Sequence, residues 1–461
     1  MLSDRMPPAN RIFTGTLAVA ALTLSGLLQA ADDEQAEPKA AIPPPASVHR
    51  VLDGQASRGT ELAVITPPDG LTIAPDGPSV DVPWIISPFV RGRGGVQWLQ
   101  TVVDQPQYLV RLGAGWADVQ PTGRAAPFQI APGRGWNLDG TVLAGRFDGG
   151  ELYASVQRRN WGPGWTGSLI LDGAAPPVAA VGLRRPVSTP SDNPWLQWMG
   201  PWSADVFFGR LFGHDAPVRP ALIGMRLQIQ PFSNFELGLS RTMQWGGRGR
   251  EEDVKTLLRA LVGWDNAGSH GVTVENQPGN QLAGFDWRLQ LGADRGDAFY
   301  GQMIGEDEDH GLPTAYIFQA GLQTRWTVRD AVLLGFVEYN DLIASHAYHG
   351  DRPPGITYTS SVFKRGYTHD GMPLGYPAGG DVTLTSVGLL AQIAAVQMAL
   401  VLSHGNALPT SQRFSAGPIS GFNGSLQLNV DSRHQLGAAV WWWRDTAERQ
   451  RALQLWLRFL L

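Results

Sequence analysis

From about residue 84 to the end of the chain, stretches of roughly eight to twelve residues alternate apolar with polar or small side chains, the period of β-strands with one apolar face. Phe285, Trp287, Leu289 and Leu291 interleave with Asp286, Arg288 and Gln290, so the polar face carries both signs of charge. Ile223, Met225, Leu227 and Ile229 alternate with Gly224, Arg226 and Gln228, and Leu426, Leu428 and Val430 with Gln427 and Asn429. The last segment sets Leu453, Leu455, Leu457, Phe459 and Leu461 against Ala452, Gln454, Trp456, Arg458 and Leu460. About ten residues is the strand length that a tilted transmembrane barrel needs.

The pattern predicts strands near 84–90, 97–103, 107–116, 141–147, 151–158, 177–184, 202–211, 221–230 and 234–242. It continues through 281–292, 297–304, 315–328, 331–340, 382–391, 394–403, 422–430, 434–443 and 450–461. Their connections largely alternate short (Arg329-Asp330, Asp431 to Arg433) and long (243–280, 341–381, 404–421), as in barrels with tight periplasmic turns and longer outer loops. The expected fold is all-β, a closed antiparallel transmembrane β-barrel of about 18 strands with a small helical element. Val382 to Leu402 has no charge and is long enough for a spanning helix, but its scattered Thr, Ser and Gln favour two strands meeting near Ala391-Gln392. Glu251 to Val262 is the one clear helix beyond the N-terminal region, with Val254, Leu257, Leu258 and Leu261 recurring at helical spacing. Strand parity puts it outside, and a count different by one strand would put it in the periplasm; it is expected to pack against the barrel mouth, where with loop 341–381 it could close the lumen.

Upstream, Arg5 and Arg11 precede an uncharged stretch from Ile12 to Ala31 that reads as a secretory signal peptide over 1–30, cut near Ala30. Residues 31–83 begin with Asp32, Asp33, Glu34 and Glu37 before Pro43-Pro44-Pro45, and are expected to form a flexible periplasmic leader to a barrel over 84–461.

Composition narrows the function. A net charge of -5 gives no sign of a nucleic-acid partner, and a mean hydropathy of -0.13 is too polar for a bundle of spanning helices. With no cysteine, thiolate metal sites and cysteine nucleophiles are excluded. The chain has no G-x-S-x-G, H-E-x-x-H or phosphate-loop motif, so no enzyme signature is present. Asp and His from separate strands leave an outer-membrane hydrolase as the least favoured class, behind a general or substrate-selective porin.

Specific motifs point further. Trp161-Gly162-Pro163-Gly164-Trp165 with Ser168-Leu169-Ile170-Leu171 is followed in order by Gly200-Pro201-Trp202, Gly224-Met225-Arg226, Glu236 to Thr242 and Gln244-Trp245-Gly246-Gly247. Asn280 to Asp286, Gly301-Gln302 and Gly305-Glu306-Asp307-Glu308 complete the series. In these pieces the chain resembles the Wzi family of capsule assembly proteins over roughly 150–385, whereas 48–95 lacks the helical character of that family's N-terminal part. The resemblance implies a non-enzymatic, lectin-like outer-membrane barrel that helps assemble or attach capsular or extracellular polysaccharide. Its expected surroundings are the glycan, outer-membrane lipid and, as a candidate partner, the capsule export machinery, with no cofactor.

Sugar recognition pairs aromatic faces with guanidinium, amide or carboxylate groups. The loop after 151–158 offers Arg158, Arg159, Trp161 and Trp165, with Gly162-Pro163-Gly164 turning between the two indoles. A second loop offers Trp245, Arg248 and Arg250, and the long loop 341–381 offers Tyr358 and Tyr367. The alternative is that the Trp side chains belong to an interfacial belt or pack inside the barrel. Glu306 to His310 lacks the spacing of a calcium loop and reads as a solvated turn, so no metal site is expected.

Overall fold

The computed structural model describes residues 79–86, 96–104, 107–117, 135–138, 140–261, 279–291, 296–309, 312–329, 331–346, 350–430 and 434–460. The expected signal peptide and nearly all of the expected leader lie outside the described residues, as do 87–90 of the first expected strand. The fold is all-β. Its strands are β1 (Ser79–Ile86), β2 (Val96–Asp104), β3 (Tyr108–Ala117), β4 (Gly135–Asn137), β5 (Thr141–Phe147), β6 (Gly150–Val156) and β7 (Ala179–Thr189). A 3-10 helix (Pro194–Met199) leads to β8 (Trp202–Arg210), β9 (Ala221–Phe232) and β10 (Phe235–Trp245), and helix α1 (Val254–Leu261) follows. Then come β11 (Gly279–Leu291), β12 (Asp297–Asp309), β13 (Leu312–Val328), β14 (Ala331–His346) and the two-residue β15 (Thr368–His369) and β16 (Met372–Pro373). The chain continues in β17 (Val382–Ile393), β18 (Val396–Ala407), β19 (Gly417–Asn429), β20 (His434–Arg444) and β21 (Arg449–Leu460).

Every strand except the β15/β16 pair joins one antiparallel sheet, neighbour to neighbour in chain order. β4 is a three-residue addition on β3, which also pairs with β5. β1 pairs with β2 on one side and with the last strand on the other, Ser79 opposite Leu460 and Ile86 opposite Leu453. Among the described residues the first strand begins at Ser79, five residues ahead of the expected boundary. The uncharged stretch is a strand pair, turning at Ala394 with φ 50° rather than at Ala391-Gln392.

The two faces are inverted relative to a water-soluble sheet. On β11 Phe285 is 39% exposed while its neighbour Asp286 is 6% exposed, and Arg288 and Gln290 are buried beside it. Exposed Leu239, Leu322, Leu389, Leu400 and Leu426 extend the outward apolar face across β10, β13 and β17 to β19. The polar face is held by pairing rather than by water. Arg226 on β9 bonds Asp286 through two nitrogens at 2.7 and 3.0 Å, and this bridge crosses Gly238, where a Cβ would sit 2.5 Å from Asp286 Oδ2. Arg184 and Arg146 both bond Glu151, at 2.7 and 2.8 Å, and Tyr153 donates to Asp205 at 2.7 Å. Buried charges persist where such partners exist.

Candidate functional site

Two loops leave the long-connection end of the sheet and pack against its buried polar face: 157–178, between β6 and β7, and 350–381, before β17. The first enters through the Trp161 to Trp165 motif. Trp161 is buried edge-on to Phe207, ring centroids 5.5 Å apart, and its carbonyl accepts Gln302 Nε2 at 2.6 Å. The same Gln302 amide accepts the Leu169 N–H at 2.7 Å, so one β12 side chain holds two strands of the loop as a sheet neighbour would. Gln319 of β13 donates to Gly167 O at 2.9 Å, and Glu338 of β14 accepts the Trp165 N–H at 2.7 Å and the Tyr300 hydroxyl at 3.1 Å. The two glycines of the motif are required by this approach. A Cβ on Gly164 would lie 2.3 Å from Gly167 O, and one on Gly162 would lie 2.5 Å from Gln302 Oε1.

The second loop lies over the first and bonds to it. Tyr358 donates to Leu169 O at 2.6 Å and accepts the Tyr376 N–H at 3.0 Å, while Tyr367 OH sits 2.8 Å from both Ile170 O and Thr242 Oγ1. Asn340 Nδ2 reaches Tyr376 OH at 3.0 Å, and Asp172 N–H donates to Leu374 O at 2.7 Å. Burial pushes the Tyr358 and Tyr376 hydroxyls well above their ordinary range, so both stay protonated. Glu306 belongs here as well. Instead of lying in a solvated turn it is buried near the end of β12, accepting the Tyr358 N–H at 2.8 and 2.9 Å.

Most of the residues expected to contact sugar are therefore inside. Arg158 donates to Gly173 O and Ala175 O, both at 2.6 Å, closing its own loop. Arg159 lies 4.1 Å over the Phe207 ring and reaches Tyr153 OH at 3.3 Å. Trp165 is half-buried, stacked on Phe336 at 5.7 Å with its indole N–H on Gln323 at 3.0 Å. Tyr358 and Tyr367 are fully buried 5.9 Å apart. Trp245 is buried on the outward face, beneath α1. Arg250 is half-buried and Arg248 is exposed.

Helix α1 is placed differently from expectation: it packs outside, on the apolar face of the sheet, and takes no part in filling the interior. Asp253 caps its start, accepting the Thr256 N–H at 2.6 Å, and Arg241 donates to the Leu261 and Ala260 carbonyls at 2.8 and 3.0 Å at its end. Its Ala260, with half-buried Leu257 and Leu261, covers Met243, Trp245, Ala221 and Ile223.

A cationic, aromatic patch remains at the solvent-facing end, and its centre was missed in the sequence. Loop 211–220 joins loop 350–381 to the segment that follows β10: Arg248 N–H donates to Val218 O at 2.8 Å, Lys364 N–H to Ala216 O at 3.0 Å and Asp370 N–H to Phe212 O at 3.0 Å. Exposed Arg219 stands 5.6 Å over the half-open Phe212 ring, and exposed Arg365 pairs with Asp215 at 2.9 Å. Arg219, Arg248, Lys364 and Arg365 thus face solvent beside two carboxylates, Asp215 and Asp370. Beneath them His369 Nδ1 accepts the Phe212 N–H at 3.0 Å and His214 Nε2 bonds Thr368 O at 2.8 Å. Burial lowers both imidazoles, His369 to about 4, so they are neutral at pH 7. No group of three or more His, Cys, Asp or Glu able to hold a metal occurs among the described residues.

Known proteins share the fold. An outer-membrane protein of Escherichia coli, Wzi, described as a carbohydrate-binding β-barrel involved in group 1 capsule assembly, superposes with a TM-score of 0.68 over 84% of each chain, at 23% identity. An uncharacterised 55.8 kDa protein in the cps region of Klebsiella pneumoniae is 36% identical over 211 residues. That match takes in 45% of this chain, which thereby spans about two-fifths of the relative's length. The model of the capsule assembly protein Wzi family matches residues 104–442, and the chain belongs to that family.

Proposed function

We propose that the protein is a closed, 18-strand outer-membrane barrel that acts without catalysis, binding an acidic capsular or extracellular polysaccharide and retaining it at the cell surface. The strand count leaves β4 aside, and the pairing of β1 with both β2 and β21 supports closure. The two-residue turns 148–149, 233–234, 329–330 and 394–395 and both ends of the described sheet lie on one side, taken as periplasmic, so the long loops and the cationic patch face outward. A ring of 16 to 18 strands leaves an aqueous channel unless something fills it. The observation that carries the reading is that loops 157–178 and 350–381 fill the interior while Phe212, Arg219, Arg248, Lys364 and Arg365 stand at its outer end.

In this reading passage gives way to binding. Arg158, Arg159, Trp161, Trp165, Tyr358 and Tyr367 hold the loops in place, and Trp245 seats α1. Arg248 and Arg250, with the newly found Arg219, Lys364 and Arg365, supply cations to the glycan carboxylates, and Phe212 supplies a stacking face. The capsule export machinery delivers the chain being bound. The test is binding of the detergent-purified protein to its host's own surface polysaccharide, with an unrelated barrel as control. Arg219→Ala, Arg248→Ala and Arg365→Ala together should weaken binding, and the wild-type interaction should fall with salt. Unchanged binding in that variant, or a deletion strain that stops synthesising the glycan instead of shedding it, would defeat the proposal. Large ohmic channels from the intact protein in planar bilayers would favour a porin.

A further inference from the structure

Helix α1 divides its surface three ways. At about 100° per residue, and with Val254 at zero, Thr256, Leu257 and Ala260 centre near 250°, Val254, Leu258 and Leu261 near 10°, and Lys255 and Arg259 near 120°. The first sector is the one turned to the sheet, with Thr256 and Ala260 buried. The second is apolar: Leu261 at its border touches the sheet, while Val254 and Leu258, 72% and 56% exposed, have no cover among the described residues. The third is basic, with Lys255 exposed and Arg259 half-buried. A helix needing only one buried face has no use for a second apolar edge.

Its height supplies the occupant. From Phe235 to Trp245, β10 takes ten steps, and at about 3.4 Å per step and a tilt of about 40° it climbs about 26 Å. That nearly matches the roughly 25 Å apolar band of such barrels. The lower edge is marked by exposed Phe232, Trp195 and Trp198 at the short-turn end. The helix rests on Met243 and Trp245, at the upper edge, and below it the exposed apolar face continues through Leu239 on β10, Phe285 on β11 and Val206 on β8. The uncovered apolar edge is continuous with a surface that meets lipid.

We infer that α1 is an interfacial helix clamped to the barrel wall: its Val254 and Leu258 edge enters the acyl layer, and Lys255 and Arg259 face the phosphate-bearing headgroups. Amphipathic helices lie in this boundary with basic residues on the polar side. Asp253 and Arg241 hold its two ends, and Arg210 fixes the approach by a two-nitrogen bond to Glu252 at 2.6 and 3.0 Å. That the leaflet is the outer one rests on the orientation proposed above, whereas insertion itself does not.

The chain has no cysteine, so a single introduced one takes a nitroxide label without competition. Full-length Leu258→Cys, Val254→Cys, Lys255→Cys and Arg365→Cys proteins, labelled and reconstituted into vesicles of phosphatidylcholine and phosphatidylglycerol, would be compared for collision with oxygen and with a water-soluble nickel complex. Heat-modifiable migration on gels confirms folding of each. The labels at 254 and 258 should be several-fold more open to oxygen than to nickel, relative to the Arg365→Cys reference, with the label at 255 close to the reference. Nickel access at 254 and 258 equal to the reference would place the helix in water and overturn the inference. Shielding of both from oxygen and nickel alike would mean that protein covers this edge, and would overturn it as well.

Discussion

Replacing Tyr358 by Phe removes one oxygen and tests whether the inner tyrosines hold the loops or touch the ligand. The hydroxyl is fully buried, donates to Leu169 O at 2.6 Å and accepts the Tyr376 N–H at 3.0 Å. Without it, two buried main-chain groups in different loops lose their partner, at about 1–3 kcal/mol each. The two together, about 2–6 kcal/mol, correspond to roughly 30- to 25,000-fold in the local opening equilibrium. Amide hydrogen exchange reads this directly where opening is local. The Trp161, Leu169 and Tyr376 amides should exchange faster by that order in the Tyr358→Phe protein, while amides in β17 to β20 keep their protection. Glycan binding should fall only as far as the loops are loosened, and a glycan-saturated sample should regain part of the protection. Unchanged exchange with binding abolished would refute the positioning role and make Tyr358 a contact residue.

Leu239→Arg puts a cation on the outward face within the apolar band, at a cost of about 2–4 kcal/mol near the midplane, so the urea midpoint for folding into vesicles should drop. Gly164→Ala should unseat loop 157–178 by driving a Cβ into Gly167 O; planar-bilayer recording should show conductance absent from the wild type, and a silent, fully stable variant would contradict the close packing. His369, lowered to about 4 from an ordinary 6.5, is neutral in the docked loop, so its contribution is present above pH 6.5 and is lost as pH falls toward 4. Acidification from pH 7 to 4 should therefore cost the docking of loop 350–381 about 3 kcal/mol, seen as protease cleavage near Lys364 and Arg365, and His369→Gln should flatten that dependence.

The strands were legible because their two faces differ in kind. A row such as Asp286, Arg288, Gln290 opposite Phe285, Leu289, Leu291 fits a sheet with lipid on one side, and the observed burial follows it residue by residue. The fate of the loops was not legible. Arg, Trp, Tyr, Gly and Pro suit a solvent-facing sugar site, and they equally suit a segment packed against buried carboxylates and amides, where guanidinium groups and hydroxyls must satisfy main-chain carbonyls. The signal that separates the cases lay in the strands. Gln302, Gln319, Gln323, Glu338 and Asn340 stand on the polar face with few opposite charges among them. Amides at mid-strand call for main-chain partners that other strands do not supply. Loop 211–220 escaped notice because its Phe212, His214 and Arg219 are spaced too widely to form a motif, and only contacts with Lys364, Asp370 and Arg248 from two other loops give them a common surface.

The same amide row bears on why the proposed barrel would bind rather than conduct. An open channel gains from inward side chains that water can satisfy, and charge along it sets selectivity. Here Gln302 both donates and accepts with the backbone of one loop, and Glu338 collects the Trp165 N–H, the Tyr300 hydroxyl and the Asn340 amide, at 2.7, 3.1 and 3.2 Å. These groups have given up solvent, and a buried polar network is stable only when each member keeps its partner. Opening the interior would strip partners from several at once, a cost that a ligand diffusing through has no means to offset. A ligand that stays on the outer surface does not face that cost, and it gains from the rigidity the network gives to Arg219, Arg248, Lys364 and Arg365. Fixed cations pay less ordering entropy on meeting a polyanion than mobile ones do. If the proposed function holds, the inward tyrosines and amides contribute to glycan affinity without touching the glycan, and their substitution should lower affinity through a faster dissociation rate, with the salt dependence of association unchanged.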